Sequence, residues 1–235
     1  MSVGLPPMKQ MALDIGLAPV PTLERFVPQG NEAALEHLRL WVAHPQQPPV
    51  PTCLWGADGS GKTHLLCAVR EALLEQGGRV GWLDPNTHAP PEFDERWQAV
   101  LLDDCQRFNA AQQAVAFNWF VNAQNPATGQ ARWVLATADR PPADLPLRED
   151  LRTRLGWGHV FKLYALGEAE RRSVLRRAAD ERGVFLSDEV MDYMLTRFAR
   201  DLASLMQLLQ QLDDYALRTQ RAVTIPLIKS MLDGE

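Results

Sequence analysis

The stretch GADGSGKTH, residues 56–64, gathers glycines, a lysine and a threonine at a spacing that can hold a phosphate chain. It fits G-x-x-x-x-G-K-[ST], with Gly56, Gly61, Lys62 and Thr63 at the fixed positions, Gly59 inside the turn and His64 just after it. Glycines let a backbone close tightly enough for its N–H groups to surround phosphate oxygens. A helix beginning there adds the positive end of its dipole, Lys62 can reach the β- and γ-phosphates, and Thr63 can ligate Mg2+. Further along, AVLLDD ends an apolar run in Asp103 and Asp104, acids of the kind a nucleoside triphosphatase needs to hold Mg2+ and polarise the attacking water. RWVLATADRPP also ends in polar residues, Thr137 and Asp139. The segment LREDLRTRLGWG, 147–158, carries Arg148, Arg152 and Arg154. That pattern is either a solvated basic helix face or the seat of an arginine finger, a guanidinium placed on the γ-phosphate of a nucleotide held by a neighbouring subunit.

Such residues work only when strands and helices bring them to one edge. Apolar runs of strand length alternate with helical segments: TCLWG (52–56), a helix over 61–76, RVGWLD (79–84), WQAVLLDD (97–104), a helix over 109–124 and ARWVLATA (131–138). GHVFKLYAL (158–166) supplies a fifth strand. Continuous apolar runs separated by helices are the mark of a buried parallel sheet with crossover connections, an α/β fold. Ahead of it, NEAALEHLRLWVAH repeats apolar residues at helical spacing until HPQQPPVP stops it. Beyond the sheet the pattern is wholly helical, over 168–182, 187–198, 200–218 and 224–233. The expected organisation is a flexible N-terminal segment (1–20), an α/β nucleotide-binding domain (21–165) and a small all-helical domain (166–235).

A net charge of −5 argues against a surface built to neutralise many DNA phosphates. No run approaches the length of a membrane span and no secretory signal is evident, so the chain is expected to be cytoplasmic. Cys53, Cys67 and Cys105 are odd in number and sit in apolar contexts, as reduced core thiols do. The five histidines show no metal-ligand spacing.

Taken together, GADGSGKTHLL, LLDDCQRF, ATADRPP, LRTRLGWGHVFKL and AVTIPLIKSML resemble the AAA+ ATPases of the DnaA family, closest to its regulatory-inactivator branch, over nearly the whole chain. The resemblance implies an AAA+ P-loop NTPase with a parallel five-stranded sheet, followed by an all-helical lid. It makes Lys62 and Thr63 Walker A, Asp103 and Asp104 Walker B, Asp139 the sensor 1 position and Arg154 the arginine finger of Box VII. Val27 and Asn31 match the segment that lies along the adenine, so ADP or ATP with Mg2+ is the implied cofactor. Two positions depart from the family pattern. The sensor 2 arginine falls at Ala203, with Arg200 three residues earlier, and Asp150 stands where the initiators carry another arginine. The implied subunit binds nucleotide and hydrolyses it weakly. DnaA-like initiators continue into a helix-turn-helix DNA reader, whereas this chain ends at Glu235 soon after the lid helices.

Gln10, Leu13 and Ile15 in QMALDI are similar to the short motif by which proteins attach to the bacterial sliding clamp, the beta subunit of DNA polymerase III. Such a segment offers an amide and apolar anchors to a preformed pocket. The implied function is a negative regulator of replication initiation that meets ATP-bound DnaA at the clamp, supplies Arg154 to its nucleotide, touches DNA mainly indirectly and forms a homodimer or higher oligomer. The competing reading is a self-contained ATPase, a helicase loader or clamp-loader-like subunit with its own turnover and a groove for single-stranded DNA.

Overall fold

All six residues of the strand Trp133–Ala138 and all four of Ala99–Leu102 are buried, because helices cover both faces of the sheet they belong to. The computed structural model describes residues 20–44, 48–126, 129–198 and 202–233. Its sheet contains β1 (Thr52–Trp55), β2 (Val80–Leu83), β3 (Ala99–Leu102), β4 (Trp133–Ala138) and β5 (His159–Lys162) in the order β2-β3-β4-β1-β5. Every pairing is parallel. The expected five-stranded α/β domain is thus the one observed, with strand ends shorter than the apolar runs suggest. Trp97, for instance, precedes β3 and turns its ring onto Trp119, with ring centroids 4.7 Å apart.

Alternation along the strands sorts side chains between two cores. On one face Leu54, Leu101 and Leu135 pack against Leu35 and Leu38 of α1 (Glu32–Ala43) and Leu65 and Val69 of α2 (Lys62–Glu75). On the other, Val100, Leu102, Val134 and Ala136 meet Ala116, Trp119 and Phe120 of α3 (Ala110–Gln124) and Leu151 and Leu155 of α4 (Glu149–Leu155). The arginine-bearing segment is therefore a two-turn helix, too short for periodicity to reveal, docked on α3.

The chain then forms α5 (Glu168–Glu181), α6 (Asp188–Arg197), α7 (Leu202–Thr219) and α8 (Ile225–Asp233) around a third core that includes Leu175, Met191, Met194, Leu209 and Ile228. Ser187 caps α6 by accepting from the Val190 N–H, as its place before Asp188 and Glu189 predicts. Among the described residues no helix is long and apolar enough to cross a membrane. Cys53, Cys67 and Cys105 are free, and burial pushes the Cys53 thiol up to about 12.

Among the described residues β5 pairs only with β1 and forms one edge of the sheet, with three of its four residues exposed. Lys162 on this edge holds its ammonium 5.3 Å from the Trp55 ring centre and 5.0 Å from that of Tyr164. The centre of the sheet carries the stability. Replacing Leu135, fully buried on β4, by alanine is expected to lower unfolding free energy by about 2–5 kcal/mol, read as a lower urea midpoint at unchanged slope.

Candidate phosphate-binding site

The carboxyl ends of β1, β3 and β4 converge, as they must in an open parallel sheet, where strand ends and helix starts share one edge. β1 leaves the sheet at Gly56, where any side chain would come within 2.3 Å of the Leu163 carbonyl oxygen. Gly59 and Gly61 have φ of 77° and 90°, the left-handed region that glycine enters without strain. Gly61 caps α2, so the N–H groups of Lys62, Thr63 and His64 begin the helix without intrahelical acceptors and open onto the loop.

Lys62 is buried, and its Nζ donates to the carbonyls of Gly56 (2.8 Å) and Ala57 (3.0 Å). The Oγ of Ser60, 4% exposed, has no hydrogen-bond partner among the described residues. Leaving a buried hydroxyl unpaired costs about 1–3 kcal/mol, and an anionic oxygen seated in the loop is the acceptor its surroundings lack. Glycines that admit no Cβ, helix-start N–H groups, an ammonium and an orphaned hydroxyl together fit a phosphate chain.

Asp103 and Asp104, at the end of β3, are held by hydroxyls from other elements. Thr63 Oγ1 lies 3.0 and 3.2 Å from the two carboxylate oxygens of Asp103, and Thr137 Oγ1 donates to it at 2.6 Å. The same Thr137 oxygen accepts from the Asp104 N–H at 2.8 Å. Asp104 adopts φ 51°, the left-handed region that aspartate enters more readily than most non-glycine residues, and the bond from its N–H to Thr137 holds it there. Burial pushes the Asp103 carboxyl up, the two threonine hydroxyls oppose that rise, and the neighbouring Asp104 charge adds to it. Gln106 links this pair to the next strand. Its Nε2 donates to Asp104 Oδ1 at 3.2 Å while its Oε1 accepts from the Asp139 N–H at 3.2 Å. Asp139, just past β4, is held below the usual carboxylate range chiefly by the bidentate Arg140 at 2.9 and 2.8 Å, with the Lys62 charge contributing.

The segment before α1 closes the other side. A Cβ on Gly61 would meet Phe26 Cε2 at 2.6 Å, so Phe26 lies directly on the loop, and Val27, half-buried, follows it in the chain. Asn31, 2% exposed, clasps the exit of β5, accepting from the Tyr164 N–H at 2.8 Å and donating to the Tyr164 carbonyl at 3.0 Å. The His64 ring is 3.1 Å from the Thr22 carbonyl, and burial pushes this imidazole down. What His64 brings to the loop is therefore its backbone N–H. Arg25 pairs with Glu181 of α5 at 3.3 Å, so the helical domain touches the same segment.

Arg154 occupies the last turn of α4, its guanidinium 5.2 Å from the ring centre of Phe117 on α3 and 4.8 Å from that of Trp157. Arg148 also lies over Phe117, at 4.9 Å, but is paired with Asp150 at 2.6 and 2.7 Å. Among the described residues Arg154 makes no ion pair. The loop glycines, Lys62, Thr63, Asp103, Asp104 and Asp139 are thus brought to one edge, with Asn31 on Tyr164 at the end of neighbouring β5 and Val27 next to Phe26 in the chain, whereas the contacts of Arg154 are with α3 and Trp157. Gln10, Leu13, Ile15 and Arg200 lie outside the described residues, as does the side chain of Ala203. Sequence reasoning missed Ser60, Gln106, Phe26, Phe117 and Trp157. Of these Ser60, Gln106 and Trp157 fall inside the motifs GADGSGKTH, LLDDCQRF and LRTRLGWG, whereas Phe26 and Phe117 carried no signal.

Residues 17–162 match the family model of the bacterial DnaA ATPase domain, and residues 168–232 match that of the Hda lid domain. The chain is 35% identical over 235 residues to an uncharacterized protein of Haemophilus influenzae, covering 96% of this chain and 99% of that one. Among solved structures it is similar to domain III of the Thermotoga maritima replication initiation protein DnaA, with a TM-score of 0.73 and 22% identity over 92% of this chain and 97% of the other. Replication initiator DnaA bound to AMPPCP and single-stranded DNA gives 0.65 and 21%, covering 86% and 68%. The Thermotoga maritima RuvB Holliday junction branch migration motor gives 0.64 and 17%, covering 93% and 73%.

The hydroxyl of Thr137 is the hinge of the acidic pair, and Thr137→Val keeps its volume while deleting both hydrogen bonds. The variant is expected to be less stable by about 1–3 kcal/mol in urea denaturation at neutral pH, because a buried carboxylate and a partly buried N–H each lose a partner.

Proposed function

The chain belongs to the DnaA family of AAA+ ATPases, close to Hda, and we propose that it is a negative regulator of DNA replication initiation that stimulates hydrolysis of DnaA-bound ATP. In this reading its own loop holds ADP or ATP. Gly56, Gly59, Gly61, the backbone N–H groups of Lys62, Thr63 and His64, and the Ser60 hydroxyl surround the phosphates. The Lys62 ammonium, now on the carbonyls of Gly56 and Ala57, has only to exchange neutral acceptors for anionic ones. Thr63 and Asp103, already in contact at 3.0 Å, would hold Mg2+, whose charge offsets that of the β- and γ-phosphates. Asp104 orients water, Asp139 faces the γ-phosphate, and Val27 and Asn31 form the adenine side.

The observation that carries the regulatory reading is Arg154. It is held on a short helix of the nucleotide-binding domain itself, yet no carboxylate neutralises it among the described residues. A guanidinium so prepared suits the γ-phosphate of a nucleotide on another subunit, where a finger supplied in trans contributes about 10³–10⁵ in rate in systems that use one. The pairing of a DnaA-type ATPase domain with an Hda-type lid supports DnaA as that subunit. Gln10, Leu13 and Ile15 would tether the protein to the sliding clamp, so that an acidic chain reaches DNA indirectly. Because a finger needs a neighbour, a homodimer or higher oligomer is the storage form.

The intact set of Lys62, Thr63, Asp103, Asp104 and Thr137 favours a second reading, an ATPase acting on its own nucleotide as a helicase loader or clamp-loader-like subunit. ATP turnover of the isolated protein with and without single-stranded DNA separates the two, since only the second predicts substantial DNA-stimulated turnover.

Arg154→Ala is expected to abolish stimulation of DnaA ATPase while clamp capture in a pull-down is unchanged; stimulation that survives removes the finger assignment. Conversely, replacing Gln10, Leu13 and Ile15 with alanine is expected to abolish capture of the clamp, and equal capture by both proteins defeats the tethering model.

A further inference from the structure

A finger residue faces two opposed demands. Its long side chain has to be ordered before the partner arrives, or the encounter bears the cost of freezing it. Its charge has to stay unneutralised, or an internal carboxylate competes with the phosphate. The α4 region shows both outcomes side by side. Arg148 is ordered by Asp150 in a bidentate ion pair, and the charge is cancelled. Arg154 is ordered by two aromatic rings, Phe117 at 5.2 Å and Trp157 at 4.8 Å, and the charge remains. An aromatic face attracts a cation through its quadrupole and carries no net charge of its own.

Trp157 is the unusual member. It is 63% exposed, so burial of its own surface does not explain the position of its indole. The backbone does. The Trp157 N–H donates to the carbonyl of Arg154 itself at 3.1 Å, the Gly156 N–H donates to that of Thr153 at 3.2 Å, and these bonds close the end of α4 so that the indole returns over the arginine. Gly158 fixes the chain on the other side, because a Cβ there would lie 1.8 Å from the Pro51 carbonyl oxygen.

We propose that Trp157 is a positioning residue for Arg154, holding the guanidinium against Phe117 so that it meets a partner's γ-phosphate already aimed and still fully charged. The proposal rests on the reading of Arg154 as a finger acting on DnaA-bound ATP, and it assigns to Trp157 a role in the maximal rate rather than in docking.

Two measurements test it, on the full chain with variants Arg154→Ala, Trp157→Leu and Trp157→Phe, each checked by thermal melting. In the first, ATP hydrolysis by DnaA is followed against concentration of the clamp-loaded protein. Trp157→Leu is expected to lower the maximal stimulated rate about 5–20-fold with a half-saturating concentration within about 2-fold of wild type, and Trp157→Phe to restore the rate to within about 3-fold. A raised half-saturating concentration at unchanged maximum, or a Trp157→Leu curve identical to wild type, overturns the proposal. The second reads the contact without any partner. The Arg154 Nε–Hε resonance, identified by its loss in Arg154→Ala, should be displaced by ring current in wild type and shift in Trp157→Leu; an unchanged position overturns the proposal. Should wild type fail to stimulate DnaA, the regulatory reading falls, and the resonance still decides whether Trp157 holds the guanidinium.

Discussion

A carboxylate only 7% exposed, with a second acid beside it in the chain, persists at the end of β3 because hydroxyls from two other elements donate to it. That requirement governs the rest of the domain. Thr63 must begin α2, Thr137 must end β4, and both must reach Asp103 across one sheet edge, which holds only if β1, β3 and β4 keep the observed register. The large buried side chains of the two cores hold that register. In return the hydroxyls limit the energetic penalty that Asp103 imposes, and Thr137 also fixes the left-handed backbone of Asp104. Packing and polar satisfaction thus support each other at the place where chemistry is expected.

The nucleotide side of the domain is assembled from parts far apart in sequence. Phe26 lies on Gly61, His64 holds Thr22, Asn31 clasps Tyr164, and Arg25 reaches Glu181 of the helical domain. Three of these are partly buried and tie the pre-α1 segment to the phosphate loop, to α2 and to the end of β5. The fourth is an exposed ion pair of the kind that contributes about 0–1 kcal/mol. The segment thus has its partly buried contacts on the ATPase domain, while its contacts with α5, the Arg25–Glu181 pair and the Arg177 bond to the Arg25 carbonyl, are exposed.

The sheet was legible because parallel strands buried on both faces read as apolar runs, and the phosphate loop because glycine, lysine and threonine at fixed spacing have few other uses. The lid helices were legible from their periodicity, down to Ser187 as a cap. Other features depend on distant partners. Gln106 joins Asp104 to Asp139 through two hydrogen bonds that no local pattern announces. Phe117 sits on a helix, AAQQAVAFNWFVNAQ, whose apolar residues cover several faces because it meets both the sheet and α4, so no stripe marks the ring that serves Arg154. Spacing alone did not separate the arginines of LREDLRTRLGWG and only the family resemblance pointed to Arg154; in the structure Asp150 and Trp157 set Arg148 and Arg154 apart.

The lysine at the open edge of the sheet has a consequence of another kind. An edge strand with free N–H and C=O groups is a template for further strands, and a chain at rising concentration can extend its sheet through such an edge into aggregates. On β5 the Lys162 ammonium, fixed between Trp55 and Tyr164, would have to be buried by any strand arriving there with a layer covering that face. The two rings that hold it thereby turn one charge into a solubility device, leaving the edge available to water and closed to its own kind.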